Sequence, residues 1–296
     1  MNIFENEQIS TSLQEIFCDL IKKYEVSFAL INLGEPSFIS GYNLDKFIYP
    51  ASMSKVFIGA EVLRQIELGK IDLDTKVSIV PPNDVDKDIS IFHGDTRDLL
   101  CPGDEVSVDY LLNLMLSRSD NTASNCLLDL VTRESINQNI INFYEWRGSD
   151  LTRKYLDRAK EDERYKNAPV TMSCARHFAE LFYRIHLGTM VSFWVSEKLK
   201  SYMSEQNNHG IDLSIAEKQY LYFFSKGGWL ESRRETNDQN LWTIIRWSSN
   251  TKFIQLSTGQ NYILSYFSVT KTRSEDQYFP CEEFEIKIKE YIEKYF

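Results

Sequence analysis

A serine followed three residues later by a lysine places a hydroxyl and an amine on one face of a helix, one turn apart. An uncharged amine there can take the hydroxyl proton and leave a nucleophile. The spacing occurs at Ser52, Ser249 and Ser268, so alone it selects nothing, but the settings differ. Ser249 sits among polar residues between strand-like runs, and Ser268 lies inside one. Ser52 follows Pro50-Ala51 and opens a stretch that is apolar at Val56, Phe57, Ile58, Ala60, Val62 and Leu63, the mark of a buried helix. The dipole and free N–H groups at such a helix start favour a developing negative charge. Ser52 is the candidate nucleophile and Lys55 its candidate base.

To act as a base Lys55 must spend time neutral, and burial beside a second cation lowers an ammonium pKa. Lys226 is the candidate second cation. It lies in Phe224-Ser225-Lys226-Gly227-Gly228-Trp229, at a strand end where Gly227 and Gly228 let the backbone approach a ligand. Ser119-Asp120-Asn121, between two helical stretches, adds a hydroxyl that can relay a proton and an amide that can hold a substrate carbonyl. His93, His177, His186 and His209 have no ligand spacing and no thiol or acidic partner in a motif. Neither a metal site nor a Ser-His-Asp triad is supported, and no cofactor is expected.

Ser-x-x-Lys, Ser-Asp-Asn and Lys-x-Gly, in that order, resemble the signature set of class A β-lactamases and penicillin-binding proteins. Other segments are similar to family segments: Phe47-x-x-Pro50-Ala51-Ser52-x-x-Lys55, Leu63-x-x-Ile66-x-x-Gly69-Lys70-Ile71-x-Leu73, and Leu111-Leu112-x-Leu114-Met115 ahead of Ser119-Asp120-Asn121-Thr122-Ala123. The likeness runs over roughly residues 20–270. It implies that Ser52 attacks a carbonyl, that Lys55 activates it, and that Ser119 with Lys226 passes the proton to the leaving nitrogen or oxygen. It further implies an oxyanion hole from the N–H groups of Ser52 and Trp229, and a grip on the acyl amide by Asn121. The implied activity is β-lactamase-like hydrolysis of a β-lactam or a related small amide or ester through a Ser52 acyl-enzyme. A slow penicillin-binding acyl trap or sensor, or a D-Ala-D-Ala peptidase-like enzyme, are the alternatives.

The chain departs from the family pattern in two places. The family usually has Thr or Ser between the second lysine and its glycine, where the hydroxyl helps to hold the substrate carboxylate; here the residue is Gly227. Arg233 or Arg234 could supply a guanidinium instead, the competing reading being solvated surface charge. Class A enzymes also use a glutamate, with an asparagine four residues later, to activate the deacylating water. Glu163 and Asn167 have that spacing, but in a run as charged as 157–166 a solvated side chain competes with a catalytic one. Residues 153–157 instead resemble relatives with a shorter loop and no such glutamate, which leaves Glu161, Glu163 and Asp157 as the acidic groups to place.

The elements that must position these groups fall into three blocks. A helix over 10–23 precedes strands over 26–33 and 36–42; helices follow over 52–68, 106–116, 122–131 and 172–187, the last with Thr171 as N-cap; strands over 220–225, 241–247 and 262–269 lead to a helix over 282–295. This order describes an α/β (α+β) fold: an antiparallel five-stranded sheet flanked by N- and C-terminal helices, plus an all-helical lobe. One unit over 1–296 is expected, with residues 1–50 and 215–296 forming the sheet lobe and 51–214 the helical lobe.

The 296 residues are 43% hydrophobic and carry a formal net charge of -10, which disfavours a nucleic-acid or anionic-membrane footprint. No apolar run approaches a membrane span, and the first residues lack the pattern of a secretory signal, so the chain as written reads as cytoplasmic, or as exported if translation starts upstream. The expected partner is a small-molecule substrate, with no obligate protein partner evident. Cys18, Cys101, Cys126, Cys174 and Cys281, scattered and odd in number, read as free thiols.

Overall fold

The computed structural model describes residues 3–92, 95–205, 220–235 and 242–295; His93, His209 and Leu241 lie outside them. The chain begins with β1 (Phe4–Glu5), α1 (Glu7–Ile16), α2 (Cys18–Lys23), β2 (Glu25–Asn32) and β3 (Phe38–Tyr42). It continues with α3 (Lys55–Glu67), β4 (Lys76–Ser78), β5 (Glu105–Ser107), α4 (Val108–Ser117), α5 (Asn121–Val131), α6 (Arg133–Ile136), α7 (Ala175–His186) and α8 (Phe193–Ser204). It closes with β6 (Tyr220–Glu235), β7 (Trp242–Leu256), β8 (Asn261–Thr272) and α9 (Cys281–Tyr295).

Alternation along the central strands dictates the layering. Phe28 and Leu30 of β2, with Leu264 and Tyr266 of β8, face one side of the sheet; Ala29 and Ile31, with Ile263 and Phe267, face the other. A sheet apolar on both faces must be covered on both. Leu13, Phe17, Phe284 and Ile288 of the terminal helices cover the first face, and α3, α7 and their neighbours cover the second.

The strand order is β1-β3-β2-β8-β7-β6. The five strands anticipated from the sequence form an antiparallel set, and two-residue β1 joins β3 in parallel as a sixth, too short for a sequence pattern to reveal. Other boundaries moved for identifiable reasons. The helix expected over 10–23 is two helices, because Phe17 breaks the first and turns into the outer core. The expected helix over 172–187 starts only at Ala175, since Ser173 exchanges both backbone hydrogen bonds with Ile48; Thr171 accepts from Thr152 N instead of capping. Strand β6 runs on through Gly227 and Gly228, paired with Asn250 and Ser249 of β7. Among the described residues no helix is long and apolar enough to cross a membrane. All five cysteines are free, with Cys126 and Cys174 buried.

Candidate active site

Ser52 lies in a 3-10 turn, Ala51–Ser54, that feeds directly into α3, so the α-helix proper begins at Lys55 rather than at the serine. The turn is strained and held from several sides. Ala51 has φ +48, a left-handed conformation costly for a residue with a Cβ. Ser249 Oγ donates to Pro50 O at 2.8 Å. Ser54 Oγ donates to Ala51 O at 2.7 Å and accepts the Tyr155 hydroxyl at 2.7 Å. Gly228 packs so closely that a Cβ there would stand 2.6 Å from Ser52 N and 2.7 Å from Pro50 O; only glycine allows this approach.

Lys55 and Lys226, both fully buried, converge on one hydroxyl. Lys55 Nζ donates to Ser119 O at 2.6 Å, to Ser119 Oγ at 3.1 Å and to Asn121 Oδ1 at 2.7 Å. Lys226 Nζ donates to Ser119 Oγ at 3.0 Å and to Gly227 O at 2.9 Å. A hydroxyl oxygen has two acceptor positions. With both taken by amines, the Ser119 proton is left to point elsewhere. Ser119 itself has φ +63, a second strained backbone position at the same centre.

Burial lowers the Lys55 pKa to about 8, against the opposing pull of Asp86 and Asp120, which favour its ammonium. Lys226 is pushed well below the usual lysine range by burial and then by Lys55. The electrostatic traffic thus differs from the sequence expectation: Lys55 depresses Lys226, and burial is what depresses Lys55. No hydrogen bond among the described residues joins Lys55 to Ser52 Oγ; in this state its three protons are held by Ser119 and Asn121, and one must be lost before it can accept another.

Asp86, with no sequence signal beyond a run of nearby aspartates, builds the platform under Asn121. Its carboxylate accepts from Asn121 N at 2.6 Å, Asn121 Nδ2 at 3.0 Å and Thr122 N at 3.3 Å. Asp120 caps α5 through Ala123 N at 2.8 Å and binds Arg118 at 2.9 Å. Asn125, one turn along α5 from Asn121, accepts from Tyr155 N at 2.8 Å. This brings the Tyr155 ring to 4.6 Å from Lys55 Nζ, a cation–π distance, and burial pushes its phenol far above the usual tyrosine range. Tyr155 carries no sequence signal for this role, because its place depends on the path of an irregular loop.

The acidic groups of that loop are engaged elsewhere. Glu163 has a side chain 83% exposed and pairs with Lys166 at 2.6 Å, so it is solvated and outside the site. Glu161 is buried against Arg133 at 2.6 Å, and Asp157 accepts from Ala159 N at 2.9 Å. Arg233 also fails to reach the site: it is exposed and pairs with Glu231 and Glu275, each at 3.1 Å. His177 is buried, hydrogen-bonded to Ser149 Oγ at 2.8 Å, and lowered by burial to about 4, a neutral packing residue. The described residues contain no cluster able to hold a metal.

Ser52, Ser119, Asn121, Gly227, Gly228 and Trp229 line a single cavity of about 1030 Å³, with Lys55 and Lys226 buried behind its wall. A hydroxyl, a strained relay serine and two desolvated amines around one opening can perform acyl transfer.

A family model described as the β-lactamase enzyme family matches residues 8–277. No curated protein matches the chain. Similar solved structures include a mutant of PBP-A as its acyl-enzyme with penicillin G, with 15% identity, 90% of each chain covered and a TM-score of 0.66. A β-lactamase from Sphaerobacter thermophilus DSM 20745 shows 19% identity over 88% of this chain and 87% of that one, with a TM-score of 0.64. A mutant class A β-lactamase of the last common ancestor of Gram-negative bacteria shows 17% identity over 89% and 92%, with a TM-score of 0.65.

Proposed function

Because this chain belongs to the β-lactamase enzyme family, a family of serine hydrolases, we propose that Ser52 is its nucleophile and that Lys55, Ser119 and Lys226 move its protons. The observation that carries the assignment is the convergence of both amines on Ser119 Oγ in a cavity that Ser52 also lines. Neutral Lys55 takes the Ser52 proton as Oγ bonds to the substrate carbonyl carbon. The C–N or C–O bond then breaks, and Ser119 delivers its proton to the leaving atom while drawing a replacement from an amine. The N–H groups of Ser52 and Trp229 receive the developing oxyanion, and Asn121 holds the acyl amide. Water later bonds to the same carbon, the Oγ bond breaks, and a proton returns to Ser52. The substrate is a β-lactam or a related small amide or ester.

A specific observation favours slow completion of that cycle. The side chain packed against Lys55 from the loop is the un-ionised phenol of Tyr155, and none of Asp157, Glu161 and Glu163 is free to activate water there. The acyl-enzyme therefore accumulates, as in a penicillin-binding acyl trap. The test is intact mass spectrometry after mixing with the methyl ester of penicillin G, which carries no free carboxylate. One adduct per chain, persisting for many minutes and absent in Ser52→Ala, is expected. An unlabelled parent protein sinks the nucleophile assignment; an adduct that clears within seconds sinks the slow-deacylation reading alone.

A further inference from the structure

The cavity does not end at Ser52. Past Gly227 it continues between β7 and the segment entering α9, where Asn250, Tyr278 and Glu282 form its wall. In serine acyl transfer the leaving group departs on the side of the proton donor, here Ser119 with Lys226 behind it. Gly227 is the next residue along that strand, so this extension is where a leaving group lies, on the assignment of Ser52 and Ser119 made above.

Its chemistry is unsuited to an anion. Three guanidiniums stand nearby, and each is committed; Arg234, exposed and seven residues beyond Gly227 on the same strand, is about 23 Å away along it. Arg118 donates to Asp120 at 2.9 Å and to the carbonyls of Arg97 at 2.7 Å and Asp98 at 2.9 Å. Arg246 donates to Glu231 at 2.8 Å and to the carbonyls of Gln277 and Glu275, both at 2.9 Å, with its carbon 4.0 Å from the Tyr278 ring centre. Arg233 is spent on Glu231 and Glu275. Gly227 carries no hydroxyl, and Lys226 has its ammonium disfavoured by burial and by Lys55.

The same wall offers sites for the opposite charge. Asn250 lines the wall, with its Oδ1 just beneath the surface and without a hydrogen-bond partner among the described residues; a ligand N–H that reaches it by a small turn of the amide satisfies it, and a carboxylate does not. Glu282 adds a carboxylate, and Trp229, 58% exposed, adds aromatic surface that attracts cations. We propose that the leaving-group side of the cavity selects amides and esters whose leaving group is an uncharged N–H donor or a cation, and disfavours those whose leaving group bears a carboxylate.

Three thioesters of phenylacetylglycine test this, with mercaptoacetate, mercaptoacetamide and thiocholine as leaving thiols. In each, Ser52 Oγ bonds to the carbonyl carbon, the C–S bond breaks and the Ser52 proton leaves on the thiol, so the adduct is identical and only the leaving group varies. Second-order acylation of the full chain, followed by intact mass, is expected to be at least tenfold faster for mercaptoacetamide and thiocholine than for mercaptoacetate. Asn250→Ala should slow the mercaptoacetamide probe selectively, and exposed Glu282→Gln the thiocholine probe. Gly227→Thr should speed the mercaptoacetate probe, since a Cβ at Gly227 meets Asn250 Nδ2 and Ser249 O at an ordinary 3.7 Å. A mercaptoacetate probe that acylates as fast as the others overturns the proposal and leaves the nucleophile assignment standing. No acylation by any of the three overturns that assignment, and this proposal with it.

Discussion

Lys55 carries the most informative single titration in the molecule. Its pKa of about 8 reflects burial opposed by Asp86 and Asp120, so below pH 8 the amine is mainly protonated and cannot accept the Ser52 proton. The acylation rate should therefore rise about tenfold per pH unit on the acid side and level off above pH 8. Asp86 stabilises the ammonium, and removing its charge must lower the Lys55 pKa further. Asp86→Asn is expected to move the acid limb of the acylation profile toward lower pH, read from the rate of adduct formation between pH 5 and 9. A limb that stays in place or moves upward would show that a different group governs the step, with Lys226 the first to examine. Asp86 also positions Asn121 through two hydrogen bonds, so a lower plateau should accompany the shift.

At the level of elements, the site is a turn clamped against a strand. Gly228 of β6 touches the backbone of Ser52 and Pro50, atoms that cannot swing aside as a flexible side chain would. Gly228→Ala is expected to cost about 1–3 kcal/mol in chemical denaturation, the usual range for overpacking, and to slow acylation at least tenfold by displacing Ser52. Wild-type acylation in that variant would mean that the turn and strand are free to separate. The contact also shows what is legible in a sequence. Ser52, Lys55, Ser119 and Lys226 stand out because their motifs are compact and sit at helix starts or, for Lys226, beside two glycines within a strand. The glycine pair stands out because it marks a close approach. Tyr155 and Asp86 do not, since loops deliver them to the centre and a loop path is set by tertiary contacts such as the Asn125 bond to Tyr155. Helix α8 is hard to read from the sequence for another reason: its buried Val195, Leu199, Tyr202 and Met203 have helical spacing, but exposed Phe193 and Trp194 at its start blur the pattern.

Over the whole molecule, one sheet serves two cores, and the outer core rests on aromatic contacts to the last helix. Phe284 lies 4.8 Å from Phe17 and 5.3 Å from both Phe28 and Tyr266, ring centre to ring centre. Phe284→Ala should destabilise the fold by about 3–5 kcal/mol in chemical denaturation, and a loss below 1 kcal/mol would mean that α9 is only loosely docked. The strand order has a consequence for how the molecule is made. Among the described residues, strand β8 sits between β2 and β7 and links the N-terminal strands of the sheet to β7 and, through it, to β6, which carries Lys226. During synthesis Ser52, Ser119 and Lys226 all emerge before β8, the strand that fixes β7 and β6 against β2. Ser52 and Gly228 touch directly, so what β8 adds is the frame that holds that contact in place, and acylation is expected to depend on its insertion.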